Sequence, residues 1–261
     1  NAENYSRKVI DDLTFWLKEQ YGAKGLAWMK CIDGKTFEGG ISKFFDETLH
    51  LEMIKKLKVS KGNILFIIGD NQKVVFSSLG ALRIKVAKQN DLIDENKWAP
   101  LWVVDFPLFE WNDDHSRWDS LHHPFTSPNF EDIDLLDLDP SKVRSLGYDI
   151  IMNGYEIGGG SIRIHDKNLQ SKIFDLLGIS NEEANEKFGF LMNAFKYGAP
   201  PHGGMAFGFD RLIMLLVGSK QIRDVIAFPK TTSAMSLMDN SPSTVDSTQL
   251  KELGLSIKNK K

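Results

Sequence analysis

The stretch Tyr148-Asp149-Ile150-Ile151-Met152-Asn153-Gly154-Tyr155-Glu156-Ile157-Gly158-Gly159-Gly160-Ser161-Ile162-Arg163-Ile164-His165 decides how this 261-residue chain is read. Two β-rich runs flank Asn153-Gly154, the dipeptide that most strongly marks a two-residue type I′ hairpin, because both turn positions need positive φ. Such a turn sets Met152 opposite Tyr155, Ile151 opposite Glu156, Ile150 opposite Ile157 and Asp149 opposite Gly158. Side chains alternate between faces, so Asp149, Ile151 and Glu156 share one. Asp149 and Glu156 are then diagonal neighbours, about 7–8 Å apart at Cα, and can share a cation. Arg163 comes at an odd spacing after Glu156, which puts it on the opposite face unless the strand bulges. Residues 158–160, all glycine, are where a bulge is expected. Two carboxylates, a floor without side chains and an arginine suit an anionic ligand carried with Mg2+. A glycine-rich strand pair with solvated charges fits the same residues.

Working outward, apolar residues make up 42% of the sequence, enough to bury a substantial core in one or two domains. A net charge of −3 and an isoelectric point near 6.1 give no global nucleic-acid signature, though a local basic patch would suffice for RNA. The single cysteine, Cys31, excludes an internal disulfide and a cysteine zinc site, and suits a reducing, cytoplasmic setting. No apolar run reaches the length of a membrane span, and no signal peptide opens the sequence. Asn1 leads almost at once into a helical pattern, so the sequence is expected to be a piece of a longer polypeptide.

Ser6 is placed to cap a helix carrying Val9, Ile10, Leu13, Trp16 and Leu17 inward, with Gly22 as its stop. A strand is expected over residues 26–32, turned at Asp33-Gly34. A second helix is predicted for residues 46–58 with Leu51, Ile54 and Leu57 inward, and the apolar run 64–68 reads as a buried strand. Val75, Leu79, Leu82 and Val86 recur at helical spacing and define a third helix. Strand, helix, strand, helix makes a small α/β module. Its basic run of Lys55, Lys56, Lys58 and Lys61 reads as a solvated face rather than an RNA contact.

The composition shifts near residues 95–100, which divides the chain into domains 1–97 and 98–261. A strand at 101–106 is expected to continue through Pro107 to Trp111. Residues 112–139 read as a polar loop holding His122-His123-Pro124-Phe125-Thr126-Ser127-Pro128, and a loop of that length usually has a function. Adjacent histidines rarely chelate one metal, and no further His or Cys cluster supports zinc. Beyond the hairpin, a helix at 167–177 stops at Gly178, and Ser180 with Glu183 forms a capping box for the next helix, which turns Phe188, Leu191 and Phe195 into the core.

The second piece of chemistry is His202-Gly203-Gly204-Met205-Ala206-Phe207-Gly208-Phe209-Asp210-Arg211. Met205, Phe207 and Phe209 would fill the core, while Gly204, Ala206 and Gly208 leave a flat face that admits a planar ring such as a nucleobase. Asp210 can cap the following helix. Arg211 opens it, where a guanidinium can lie over a ring and reach a phosphate. An ordinary strand-to-helix turn with a surface salt bridge fits these residues as well. From Thr231 the chain is rich in Ser, Thr and Asn, with a turn at Asn240-Ser241-Pro242 and a short helix at 249–253. Lys258, Lys260 and Lys261 suit a solvated tail, or contacts with RNA phosphate.

Together these segments resemble the second half of a class II aminoacyl-tRNA synthetase of the bacterial aspartyl type. Residues 204–216 look like motif 3 of that class. The His122–Pro128 segment, the Gly154–Arg163 run and Ile222-Arg223-Asp224-Val225-Ile226-Ala227-Phe228-Pro229-Lys230 are similar to the aspartyl family's own segments in the same order. The N-terminal module resembles the insertion domain of bacterial aspartyl enzymes, which also occurs in an amidotransferase subunit. The resemblance implies an α+β fold: a small α/β insertion domain, incomplete at its N-terminus, then part of the class II antiparallel sheet flanked by helices. It implies that His122 and Arg163 contact L-aspartate, Arg163 through the side-chain carboxylate. It further implies that Glu156, Gly208, Phe209, Asp210 and Arg211 bind ATP, with Arg211 as the catalytic arginine, and that Asp149 and Glu156 hold Mg2+.

The implied reaction is activation of aspartate with ATP and transfer to the 3′ end of tRNA-Asp, or of both tRNA-Asp and tRNA-Asn, by a homodimeric enzyme. Motifs 1 and 2 and an anticodon-binding barrel are not found in these residues, so the chain alone is expected to be inactive. Two other readings remain: a non-catalytic fragment or paralogue that keeps nucleotide or protein contacts, and a sister ligase for asparagine or lysine. The His122-His123 loop and the insertion module speak against the sister ligase. The mass of the native polypeptide separates the non-catalytic reading.

Overall fold

The computed structural model describes residues 2–258, and the chain divides into two compact units, Asn1–Lys97 and Trp98–Lys261. In the first unit, α1 (Arg7–Tyr21) begins where the Ser6 side chain accepts the Val9 N–H and ends at Gly22, whose φ of 71° is the left-handed stop anticipated for it. Then come β1 (Ala27–Cys31), β2 (Phe37–Glu38), α2 (Glu47–Leu57), β3 (Ile64–Ile67) and α3 (Gln72–Gln89). The strands form an antiparallel sheet in the order β2-β1-β3. Ile10, Leu13 and Leu17 of α1 meet Leu82 of α3 in its core, as their spacing requires. On α2 the expectation holds for Ile54, half-buried against the cluster of Met29, Cys31 and Phe37, but Leu51 and Leu57 are exposed, and the residue that is fully inside is His50. The imidazole is held there by the Phe37 N–H and the Ser42 carbonyl, so its polar atoms keep partners in the interior.

The second unit is built on β4 (Pro100–Val104), β5 (Phe109–Asn112), β6 (Arg117–Ser120), α4 (Leu135–Leu138), β7 (Gly147–Met152), β8 (Tyr155–Ile162), α5 (Lys167–Leu176), α6 (Asn181–Phe195), β9 (Gly203–Phe207), α7 (Phe209–Leu216) and α8 (Ser247–Glu252). A four-stranded sheet runs β4-β7-β8-β9 with every pair antiparallel, and β5 and β6 make a separate hairpin. The fold is thus α+β, helices packed with antiparallel sheets. The strand expected to run on to Trp111 breaks instead at Asp105, where φ is 58°. The segment 112–139 is not one loop: it contains β6, a 3-10 turn at Phe130–Asp132 and α4. Leu136 of α4 joins Leu108, Phe109, Val143, Ile164 and Ile173 in the core.

The β7–β8 hairpin turns at Asn153 (φ 51°) and Gly154 (φ 85°), the two positive values a type I′ turn demands. Met152 faces Tyr155 and Ile151 faces Glu156, as the turn dictates. There the expected register ends. Ile150 pairs with Gly158 and Asp149 with Gly159, so the extra residue is Ile157 and the bulge precedes the glycines instead of falling among them. Ile157 is buried at 2% exposure and its carbonyl accepts the Gly208 N–H at 2.9 Å, which fixes the bulge at that residue.

The glycines serve close approach. A Cβ on Gly160 would lie 1.9 Å from the Gly204 carbonyl oxygen, and one on Gly159 would lie 2.1 Å from Oδ1 of Asp149. Tyr148 crosses Gly160 and donates its hydroxyl to the Gly204 carbonyl at 3.0 Å, tying β7 to β9 over the gap. Met205, Phe207 and Phe209, expected in the core, are 37%, 57% and 69% exposed. Met205 and Phe207 do alternate with Gly204 and Ala206 along β9, but they are not covered. At the β9–α7 junction Gly208 occupies the cap and Asp210 sits inside the first turn, so Asp210 does not cap the helix. Lys258 is exposed, and Lys260 and Lys261 lie outside the described residues.

Arg144 clamps the segment that precedes β7. Its Nε and Nη2 donate to the two carboxylate oxygens of buried Asp132 at 2.8 and 2.9 Å, and Nη2 also reaches Glu131. These bonds hold the Asp132 carboxyl below its ordinary pKa of 3.8. A carboxylate so depressed lends stability above its ordinary pKa, and that stability is lost as pH falls through the depressed value. Arg144→Met should therefore lower the unfolding midpoint at neutral pH, and its deficit against the wild type should shrink below pH 3.8; thermal melts across pH measure both. Gly160→Ala should be worse, because the new methyl meets backbone on β9. Loss of about 1–3 kcal/mol or more is expected in denaturant titrations.

Candidate functional site

One cleft of about 570 Å3 opens on the face of the sheet that carries Asp149 and Glu156. Its floor is the backbone of β8 at Gly158, Gly159 and Gly160 with Ser161, and of β9 at Ala206. Because opposite residues share a face, Gly159 under Asp149 and Ala206 beside Gly159 leave that floor flat. One wall is the junction Phe207, Gly208, Phe209, Asp210 and Arg211. The other carries His122, His123 and Arg163.

The bulge at Ile157 removes one residue from the count between Glu156 and Arg163. Their odd spacing becomes even, and both reach the cleft. Two consecutive carbonyls are turned outward at the same place. That of Ile157 takes the Gly208 N–H, and that of Glu156 takes a hydrogen bond from Nη1 of Arg211. Arg211 is thereby drawn back from the first turn of α7 over β8. Asp149 lies directly above Gly159, and Glu156 stands on the same face two positions along the ladder, at the exposed end. Every residue anticipated for the site borders this cleft: Asp149, Glu156, His122, Arg163, Gly208, Phe209, Asp210 and Arg211. Among the described residues no group of three or more His, Cys, Asp or Glu side chains forms a metal cluster. Any cation here would rest on the Asp149–Glu156 pair and on ligand oxygens.

Arg163 is fixed by its backbone. It bridges to Thr126, and its N–H donates to the His202 carbonyl at 2.9 Å. The loop that carries the histidines is held from beneath by Gln170, which is fully buried and donates Nε2 to the Pro124 carbonyl at 2.8 Å. His122 packs edge-on against Phe106 with ring centroids 4.8 Å apart. His123 accepts from Nη1 of Arg163 at 3.0 Å. Burial first, then the charges of Arg163 and His122, keep the His123 imidazole below its ordinary pKa.

His123, Ser161 and Ile222 also border the cleft; the sequence marks the His122-His123 pair but gives His123 no role, and it marks neither Ser161 nor Ile222 as a site residue. For His123 and Ser161 a signal existed, since each adjoins or precedes a named residue in a quoted motif. Which of two adjacent loop histidines turns toward an arginine has no periodicity to betray it. Ile222 opens the 222–230 run, whose family likeness carries no face information.

Among the described residues no helix is long and apolar enough to cross a membrane. A family model described as "tRNA synthetases class II (D, K and N)" matches residues 12–232. Over 98% of its length the chain is 53% identical to a protein of Lysinibacillus sphaericus named aspartate–tRNA ligase. Over the same share it is 52% identical to one of Caldanaerobacter subterraneus named aspartate–tRNA(Asp/Asn) ligase. In each case it spans 43% of the relative's own length. Among solved structures, an aspartyl tRNA synthetase from Entamoeba histolytica aligns with 71% of this chain and 31% of its own at 22% identity, with a TM-score of 0.43. Carried by the family match over most of its length, the chain belongs to the class II tRNA synthetases of the D, K and N group.

Proposed function

We propose that this chain is the part of an aspartate–tRNA ligase that grips the amino acid and one side of ATP. The observation that carries the reading is the placing of charge in the cleft: the Arg163 guanidinium at one end, and Asp149 and Glu156 beside Arg211 at the other, across a floor of bare backbone. Arg163 takes the side-chain carboxylate of aspartate, using a planar fork that matches two carboxylate oxygens. His122, on the same wall, contacts the amino acid beside it. The flat strip of Ala206 and Gly208, beside the Asp149 carboxylate, receives the adenine, with Phe209, Asp210 and Arg211 along its edge. Arg211, anchored on the Glu156 carbonyl, lays its charge over the ring and toward the α-phosphate.

Asp149 and Glu156 suit Mg2+, which takes one or two carboxylates with water and phosphate oxygens and, when bound, offsets phosphate charge. The aspartate α-carboxylate oxygen attacks the α-phosphorus, the bond to the bridging oxygen breaks, and pyrophosphate leaves. A hydroxyl at the tRNA 3′ end then displaces AMP from the aspartyl carbonyl. Alignment and charge stabilisation supply the rate, and no side chain of this chain forms a covalent bond. A relative named aspartate–tRNA ligase and one named aspartate–tRNA(Asp/Asn) ligase differ by a single percentage point in identity, so likeness does not choose the tRNA. A ligase for asparagine or lysine, the other members of the group, would have no use for a guanidinium aimed at a side-chain carboxylate.

The test is aspartate-dependent exchange of pyrophosphate into ATP by the complete polypeptide. Arg163→Gln should lower kcat/KM for aspartate by roughly ten- to a hundredfold and erode the preference over asparagine; an unaltered preference would sink the reading. Gly159→Ala should leave the fold intact, because the methyl's closest contact is the movable end of Asp149, with the Tyr148 carbonyl oxygen 3.3 Å away. It should raise the Mg2+ and ATP concentrations needed for exchange, leaving the KM for aspartate nearly unchanged.

A further inference from the structure

The Arg163 guanidinium is held by a ring with an unusual duty. Nδ1 of His123 lies 3.0 Å from Nη1 of Arg163 and also accepts the Phe125 backbone N–H at 3.2 Å. A ring nitrogen facing two N–H donors carries no proton, because only its lone pair can meet them. In the uncharged ring the proton then sits on Nε2. Thr126 borders the ring edge, its Oγ1 3.4 Å from Nδ1, 3.5 Å from Nε2 and 3.4 Å from the Ser161 hydroxyl, to which it donates, and both residues are buried. The charges facing the ring are Arg163 and His122. A protonated imidazole would push Arg163 away; the uncharged one draws it in.

Arg163 presents five N–H donors in one plane, and its side chain would rotate about its last bonds if nothing fixed that plane. One Nη1–H on a rigid acceptor fixes it. We propose that His123 is a positioning residue for amino-acid selection: as an uncharged acceptor it locks the Arg163 plane, so that the remaining donors meet a carboxylate side-on with two parallel bonds. A plane free to turn would accept a single amide oxygen nearly as well as a carboxylate, and discrimination would fall. The inference rests on Arg163 being the carboxylate partner proposed above.

Two measurements test it. In 15N NMR of this chain at neutral pH, His123 should be uncharged with Nδ1 bare and the proton on Nε2; a charged ring, or a proton on Nδ1, overturns the proposal whatever the enzyme does. In the complete polypeptide, His123→Leu should raise the KM for aspartate roughly tenfold and narrow the preference over asparagine, with the KM for ATP unchanged. His123→Asn, which returns an acceptor near the place of Nδ1, should recover most of both. An aspartate KM unmoved by the leucine, or an asparagine variant as poor as the leucine one, overturns the proposal. The Arg163→Gln enzyme separates the two levels. If it is impaired while His123→Leu is not, only the positioning role falls; if Arg163→Gln is harmless, the carboxylate reading falls and takes this one with it.

Discussion

The bulge at Ile157 is the constraint on which the site depends. A regular ladder would send Glu156 and Arg163 to opposite faces of β8, one into the cleft and one behind it. One extra residue restores their parity, and it does more. Because the bulged residue cannot pair with β7, the carbonyls of Glu156 and Ile157 are left for other donors, and the β9–α7 junction supplies both, from Arg211 and Gly208. The same defect that brings a carboxylate and a guanidinium to one face also docks the second wall of the cleft. The buried Ile157 side chain is what holds the defect at that residue.

The glycines then have a different task from the one usually assigned to glycine in a strand. Their φ values are not positive, so no turn requires them. They are needed because three chains of atoms pass where side chains would stand: the Asp149 carboxylate over Gly159, the Tyr148 ring over Gly160, and the β9 carbonyls alongside. A flat floor and a tight β8–β9 contact are one property seen from two sides. On the other face of the same strands Met205 is 37% exposed.

What could be read in the sequence was what depends on nearest neighbours in the chain. Asn153-Gly154 set the turn and the first two cross-strand pairs; Ser6, Gly22, Ser180 and Gly178 set helix ends. The register beyond Ile151 was misread because a bulge answers to a buried side chain and a partner from residue 208, neither visible locally. Helical spacing points Leu51 and Leu57 inward and alternation points Met205, Phe207 and Phe209 inward; such patterns give a face but not whether anything covers it. The loop 112–139 hid a hairpin and a helical turn because short elements draw their stability from packing, as Leu136 shows, more than from pattern. The candidate site was legible in its charged members, since residue type and parity announce them. His123 was not, because its place is set by a ring rotation in a loop.

The cleft's charges are arranged so that burial and partnership oppose one another along its length. At the carboxylate end Glu156 is exposed and Asp149 half-buried, with no ion pair among the described bridges to neutralise them; they stay available to a cation. At the other end Arg163 is half-buried and bonded to a neutral ring, not to a carboxylate. An acidic partner there would fix the guanidinium as well as a histidine does, but it would also cancel the charge meant for the ligand. A neutral acceptor gives orientation and leaves the charge unspent. The same economy governs Arg211, which is anchored on a main-chain carbonyl and keeps its full positive charge facing the cleft. Elsewhere in this unit, where Arg144 has only a structural task, it is tied to Asp132, Glu131 and Asp105, and its charge is consumed. The difference in partner, carbonyl or imidazole against carboxylate, separates Arg163 and Arg211, which can still bind an anion, from Arg144 and from Arg117, which is paired with Asp119.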